Sequence, residues 1–283
     1  MTNDASIHLC QPDGGKSCAA CCGIYNYADS SREALAARLR ARTERFRREV
    51  RGPGDLADFS RRTREAEDQA KRFEVIHCCE YAGFLDDDER RVGCLLHPAR
   101  NGGADLRGVS FYGRELCEGH LCPSYHFLGR AEKLALIDGM DDWYLYGLCL
   151  TDIDLVKEYF RHAADRLGEA LSPGALGAAK AREIARRFFE FKTGWPFRSS
   201  EENRFGRFYF DGSQHMIRRI DYDALGCGRS PFDAILMSLA SEFRSAEALR
   251  EAEALVGGSV EALAAALREG TARFSVDRPG NVV

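Results

Sequence analysis

No uninterrupted apolar stretch in the 283-residue sequence approaches the roughly 20 residues that a membrane span requires. The best, around Ile235-Leu236-Met237-Ser238-Leu239-Ala240, is short, so no membrane partner is expected. The start, Met1-Thr2-Asn3-Asp4-Ala5, lacks the basic and apolar regions of a signal peptide, and Ile7-His8-Leu9-Cys10 is too brief for a lipoprotein signal. A soluble, cytoplasmic protein is the expectation. A basic excess is missing as well: the net charge is −4 and the pI near 6.0, which argues against a nucleic-acid partner bound by neutralising phosphates. Nor is there a phosphate-binding loop, a dinucleotide glycine fingerprint, an H-E-x-x-H or a G-x-S-x-G motif, which narrows the enzyme classes without excluding enzymes.

Cysteine, by contrast, is abundant, at eleven residues. A reducing compartment disfavours structural disulfides, so clustered cysteines there read as metal ligands or redox groups. With 45% hydrophobic residues the chain has ample core material, and metal is not needed to rescue a tiny fold. Eight cysteines fall between positions 18 and 122: Cys18, Cys21, Cys22, Cys78, Cys79, Cys94, Cys117 and Cys122. Cys10, Cys149 and Cys227 stand alone in sequence; Cys149, within Trp143-Tyr144-Leu145-Tyr146-Gly147-Leu148-Cys149-Leu150, reads as a core thiol, and Cys227 has no visible partner.

The first cysteines follow the Gly-containing opening 11–16 and belong on a loop or tight turn. Ser30 or Ser31 then caps a helix from about Arg32 to Val50, and after Gly52-Pro53-Gly54 a second helix is predicted from about Asp55 to Ile76. The many arginines of residues 32 to 72 read as a solvated helical face with i,i+4 ion pairs. Tyr81–Leu85 and Arg91–Leu96 flank Asp86-Asp87-Asp88-Glu89 as a β-hairpin whose acidic turn lacks the ligand spacing of a calcium loop. Helices are predicted over about His126 to Asp138, Asp152 to Gly168, Pro173 to Phe191, Pro231 to Leu255 and Ser259 to Leu267. A second hairpin is expected where Arg204–Phe210 and His215–Ile220 straddle Asp211-Gly212. The fold class is thus α+β, mostly α, with helices around a cysteine-rich site and two small antiparallel hairpins. A cysteine-cluster module over 1–124 and a mostly helical region over 125–283 are expected, the two packing as one domain or side by side.

The concentrated chemistry is Cys18-x2-Cys21-Cys22, then Cys79, then Cys94-x2-His97, then Cys117-x4-Cys122. A C-x2-C turn brings two sulfurs to one metal because the backbone between them curls and donates N–H groups to the thiolates. Adjacent Cys21 and Cys22 diverge on extended backbone and fit two irons of a cluster more easily than one tetrahedral ion. Eight sulfurs exceed the four that a lone zinc or a single cluster needs, so the site is polynuclear, or there are two sites, or some cysteines are core residues. Abundant thiols and only seven histidines favour an iron–sulfur cluster over zinc. His120 and His126, which bracket Cys122, read as loop or helix-cap residues, and His162 and His215 as structural ones.

The order Cys18-Ala-Ala-Cys21-Cys22, Cys79 five residues before Phe84-Leu85, Gly93-Cys94-Leu95-Leu96-His97-Pro98 and a distal Cys117 resembles the YkgJ-type cysteine-cluster family, described as a zinc- or iron-chelating domain. The resemblance covers roughly residues 1–125. It implies a ligand set of Cys18, Cys21 or Cys22, Cys79, Cys94 and Cys117, with Cys122 and His97 in reserve, and it alone favours Cys79 over Cys78. Where many relatives carry Arg-Pro and a short gap, this chain has His97-Pro98 and a longer Gly-rich insertion. A branch of flagellin lysine methylases carries a similar domain. Three functions follow as expectations: a metal-binding protein with a structural, redox or metal-handling role; an enzyme, by group transfer such as protein methylation or by redox chemistry, with the cluster beside a pocket; or a zinc-stapled module that docks a protein partner through the Arg-rich helices.

Overall fold

Ser31 accepts a hydrogen bond from the Ala34 amide at 3.3 Å and so opens helix α1, Arg32–Glu49, satisfying one of the free amides of the first turn. The computed structural model describes residues 7–200, 209–210, 213–214 and 219–276. Leu35, Leu39, Arg42 and Thr43 form the buried face of α1, and Thr43 Oγ1 accepts from the Phe84 amide at 2.8 Å, docking the first hairpin onto the helix. That hairpin pairs β1, Ala82–Phe84, with β2, Val92–Cys94, in antiparallel register, Ala82 opposite Cys94. Its acidic turn is neutralised by arginines: Asp86 by Arg91 at 2.9 Å, Asp87 by Arg47 at 2.5 Å, and Glu89 by Arg40.

Helix α2, Leu56–Ala66, stops ten residues before the predicted end. The residues that follow are drawn into tertiary hydrogen bonds: Ala28 N donates to Ala70 O at 2.9 Å, Arg72 N to Asn26 O at 2.8 Å, and Asn26 Nδ2 to Phe73 O and Ile76 O at 2.8 and 2.9 Å. Such contacts override helical propensity. The arginine-rich face is also not solvated throughout, because Arg42 is 1% exposed.

Beyond α3, Gly113–Gly119, the predicted helix at His126 divides into α4, Pro123–Phe127, and α5, Arg130–Gly139, at Leu128-Gly129. Helix α6, Trp143–Leu150, is buried along its whole length. Leu145, Tyr146, Cys149 and Leu150 enter one core, and Trp143, Tyr144 and Leu148 another that holds Ala19, Ile24, Leu35 and Phe84. Tyr25 Oη donates to the carbonyls of Trp143 and Tyr144 at 3.2 and 3.1 Å. Because a Cβ at Gly147 would stand 2.1 Å from Tyr25 Oη, Gly147→Ala is expected to cost about 1–3 kcal/mol by overpacking, read as a lower urea midpoint. Adding Tyr25→Phe should relieve it only in part, since the ring carbon remains 2.8 Å away.

Helix α7, Ile153–Leu167, runs from an Asp152 cap to Gly168 in the left-handed region, as its sequence predicts. Tyr159 stacks on Phe188 of α8, Ala179–Phe189, at 3.6 Å between ring centres. Lys192, in the short α9, Phe191–Gly194, forms a fully buried ion pair with Asp152 at 2.8 Å. The pairing of β3, Tyr209–Phe210, with β4, Ser213–Gln214, brackets Asp211-Gly212, while the outer parts of the second predicted hairpin, His215 included, lie outside the described residues.

The predicted helix from Pro231 to Leu255 is instead α10, Asp233–Ser238, and the first part of α11. Between them the backbone finds other partners: Ser199 N donates to Ala240 O, Glu242 N to Phe197 O, and Trp195 Nε1 to Ser241 Oγ, each at 2.8 or 2.9 Å. Helix α11, Ala246–Val276, passes through Gly257-Gly258 without a break, because Leu249, Ala252, Val256, Val260, Leu263 and Leu267 keep one apolar stripe buried against α7 and α8. The chain is therefore mostly helical with two small antiparallel hairpins. Among the described residues, no helix is long and apolar enough to cross a membrane.

Candidate metal centre

Residues Ala20–Cys22 and Ile24–Asn26 form two tight helical turns hinged on Gly23, whose φ is +76°. The segment at residues 77–79 lies directly against that hinge. Cys79 N donates to Cys22 O at 2.8 Å, and the Cys78 thiol donates to Gly23 O at 3.2 Å. The two cysteines pack into different cores. Cys78 enters the core of Ala19, Ile24 and Leu35, whereas Cys79 joins Tyr81 and Leu95, with Cys22 and Cys94 packed alongside.

Cys94 closes β2, and the Leu95 amide behind it donates to Tyr81 O at 2.9 Å. Cys117, on α3, lies 3.3 Å from Ser110 Oγ, and its carbonyl accepts from Arg107 Nη1 at 3.3 Å. Cys22 feels the charge of Cys79 and Cys94, and Cys94 that of Cys117. These four thiols gather from the first turn, the returning segment, the hairpin and α3.

Cys10, Cys18, Cys21 and Cys122 form a second group. Cys18 N donates to Cys10 O at 2.8 Å, so the opening loop folds back and Cys10 does not stand alone. Cys10 is within electrostatic reach of Cys18, Cys21 and Cys122, and Cys122 caps the start of α4. The Tyr146 side chain faces Cys10, Cys18 and Cys122, and its hydroxyl donates to Leu9 O at 2.9 Å. Only the turn-forming Pro12-Asp13-Gly14-Gly15 run hints in the sequence that the chain reverses there.

Burial pushes the thiols of Cys10 and Cys79 up to about 12 and that of Cys94 to about 11, and it raises Cys18 and Cys122 as well. The hydrogen bond with Cys22 holds the Cys21 thiol below its ordinary value, and the same bond, with burial, drives Cys22 well above it. Buried thiols of this kind stay protonated, and a metal that takes them as ligands must displace the protons. The donor set therefore suits a thiophilic metal.

With zinc–sulfur bonds of about 2.3 Å, the sulfurs of a tetrahedral zinc site sit about 3.8 Å apart. Among the described residues, the group of three candidate ligands lying within 4.8 Å of one another is His77, Cys79 and Glu80, not any three cysteines. No three cysteine sulfurs among the described residues lie within that distance of one another. His97 Nδ1 is engaged locally, accepting from the Ala99 amide at 3.2 Å.

His77 Nε2 and Glu80 Oε2 are 3.5 Å apart, and both are buried without a hydrogen-bond partner. Burial works to raise the Glu80 carboxyl, but His77 and the Ser60 hydroxyl outweigh it and hold the group at about 2. A carboxyl lowered by folding stabilises the protein above its unfolded value, near 4.5, and that contribution is lost as the pH falls toward 2. Its size is on the order of 3 kcal/mol. Urea denaturation of chelator-treated protein from pH 6 to 2.5 is expected to show a steeper acid loss in the native chain than in Glu80→Gln.

Sequence reasoning also missed Arg42. Its Nη1 donates to Cys79 O at 2.9 Å, its Nε and Nη2 hold Glu67 at 2.7 and 2.6 Å, and Nη2 also reaches Tyr27 Oη. The buried guanidinium thereby fixes the backbone that carries a candidate ligand. A buried polar residue on an arginine-rich helix leaves no mark in periodicity. No family model, curated protein or solved structure matches the chain.

Proposed function

We propose that this chain is a metal-binding protein whose clustered cysteines hold an iron–sulfur cluster, with a structural or redox role. The convergence of Cys22, Cys79 and Cys94 from three segments far apart in sequence, with Cys117 beside them, carries this reading. The thiol-rich, histidine-poor donor set supports iron–sulfur over zinc. The likeness of its motif order to the YkgJ-type family supports metal binding, by zinc or iron alike. When bound, the cluster would supply one-electron chemistry or a rigid cross-link between the turn, the hairpin and α3. The chain's own part is to hold the sulfurs: Gly23 lets the turn meet the segment at residues 77–79, and Arg42 fixes the Cys79 carbonyl.

One observation favours a second reading, a zinc ion on His77, Cys79 and Glu80, whose ligand atoms already lie together. The deciding experiment is anaerobic purification followed by metal and acid-labile sulfide analysis with a visible spectrum. Iron with matching sulfide and a broad brown absorption is expected. Colourless protein holding one zinc, lost in Glu80→Gln, would establish the second reading instead.

A further inference from the structure

Resting on the iron–sulfur reading, we infer that the chain carries two thiolate-ligated centres rather than one. The first is held by Cys22, Cys79, Cys94 and Cys117, and the second by Cys10, Cys18, Cys21 and Cys122 with Lys133 as its counter-cation. The adjacent pair Cys21-Cys22 contributes one ligand to each.

The grouping follows from the fold. The Cys18 amide bond to the Cys10 carbonyl closes the opening loop, and Cys18 and Cys122 both pack on the large core that contains Leu9 and Tyr146. Cys22 and Cys94 pack on the separate core of Leu56, Phe59 and Tyr81, and Cys22 shares with Cys18 the core of Ala19, Ile24 and Leu35. Each set holds four sulfurs, the number that a single two-iron or four-iron cluster takes. Cys21 and Cys22 stand next to each other on one tight turn, so two centres fed by this pair lie side by side.

Lys133 is an independent pointer to the second centre. It is 1% exposed on α5, its ammonium lies 4.5 Å over the Tyr125 ring, and among the described residues it forms no ion pair with a carboxylate. Cys122 is the group whose charge it feels. A buried ammonium without an anion is costly, and a cluster bound by four thiolates carries the negative charge that would answer it. Arg107, 8% exposed and bonded to the Cys117 carbonyl, is by contrast already paired with Asp105 at 2.7 Å.

The test is iron and sulfide analysis, with native mass spectrometry, of the anaerobically reconstituted full chain and of Cys10→Ser, Cys94→Ser and Lys133→Met. The native chain is expected to pass through a singly loaded mass to a doubly loaded one. Cys10→Ser and Cys94→Ser should each keep about half the iron with matching sulfide. Lys133→Met should release iron to a chelator faster from one centre while the other half of the iron is retained as in the native chain. A native chain that stops at the mass of one cluster, with iron unchanged in Cys10→Ser, would overturn the second centre and leave the first intact. Loss of all iron in Cys10→Ser at unchanged helical circular dichroism would overturn it too, by showing one shared centre. A native chain that takes up no iron would sink the iron–sulfur reading itself.

Discussion

Gly23→Ala is expected to empty the cysteine site without removing a ligand. Gly23 holds φ at +76°, which costs a residue with a side chain about 1–2 kcal/mol. A Cβ there would also stand 2.1 Å from the His77 carbonyl oxygen and 3.1 Å from Cys78 Cα. Both atoms belong to backbone, which cannot swing aside, so overpacking adds about 1–3 kcal/mol. The cheapest relief is for the turn of Cys21 and Cys22 to lift away from residues 77–79, breaking the 2.8 Å bond between Cys79 N and Cys22 O. That bond fixes the spacing of two candidate ligands on one centre, so metal content should fall at least several-fold and the urea midpoint should drop. Gly14→Ala is the control, since a Cβ there meets nothing within 4 Å and the backbone is not left-handed. Full metal content in Gly23→Ala would mean that the contact between the turn and the returning segment does not position the ligands.

The sequence shows the parts of this architecture that local chemistry controls. The Ser31 and Asp152 caps, the left-handed stop at Gly168 and the hairpin around Asp86–Glu89 are each written in a few neighbouring residues. What it hides is decided by partners distant in the chain. Residues 67–76 read as helix until Asn26, some fifty positions away, takes their carbonyls, and residues 239–242 read as helix until the strand-like pairing with residues 197–199 claims them. Glycines 257 and 258 read as a break, but the apolar stripe through them is worth more than the local penalty. The candidate site divides the same way. Clustering marks Cys18, Cys21, Cys22, Cys79, Cys94, Cys117 and Cys122 as candidates in the sequence, but not their sorting into two groups, nor the return of Cys10 to Cys18. The parting of Cys78 and Cys79 into different cores likewise depends on what each meets in the folded chain.

Arg42→Met should test how firmly this site depends on a residue that touches no metal. Removing one partner of a buried ion pair costs about 3–5 kcal/mol, because the other charge is left without compensation. Here the lower end is expected, since Arg38 would still hold Glu67 at 2.6 Å. The loss nonetheless reaches the site, because Arg42 also supplies the hydrogen bond to the Cys79 carbonyl and the contact with Tyr27 Oη, both buried acceptors. A lower urea midpoint is therefore expected together with faster metal release to a chelator. Glu67→Gln separates the two effects: it leaves the Arg42 bond to Cys79 in place while removing the carboxylate, so it should destabilise the fold with a smaller change in metal release. Equal metal release in both variants would show that Arg42 supports only the packing around α1 and not the position of Cys79.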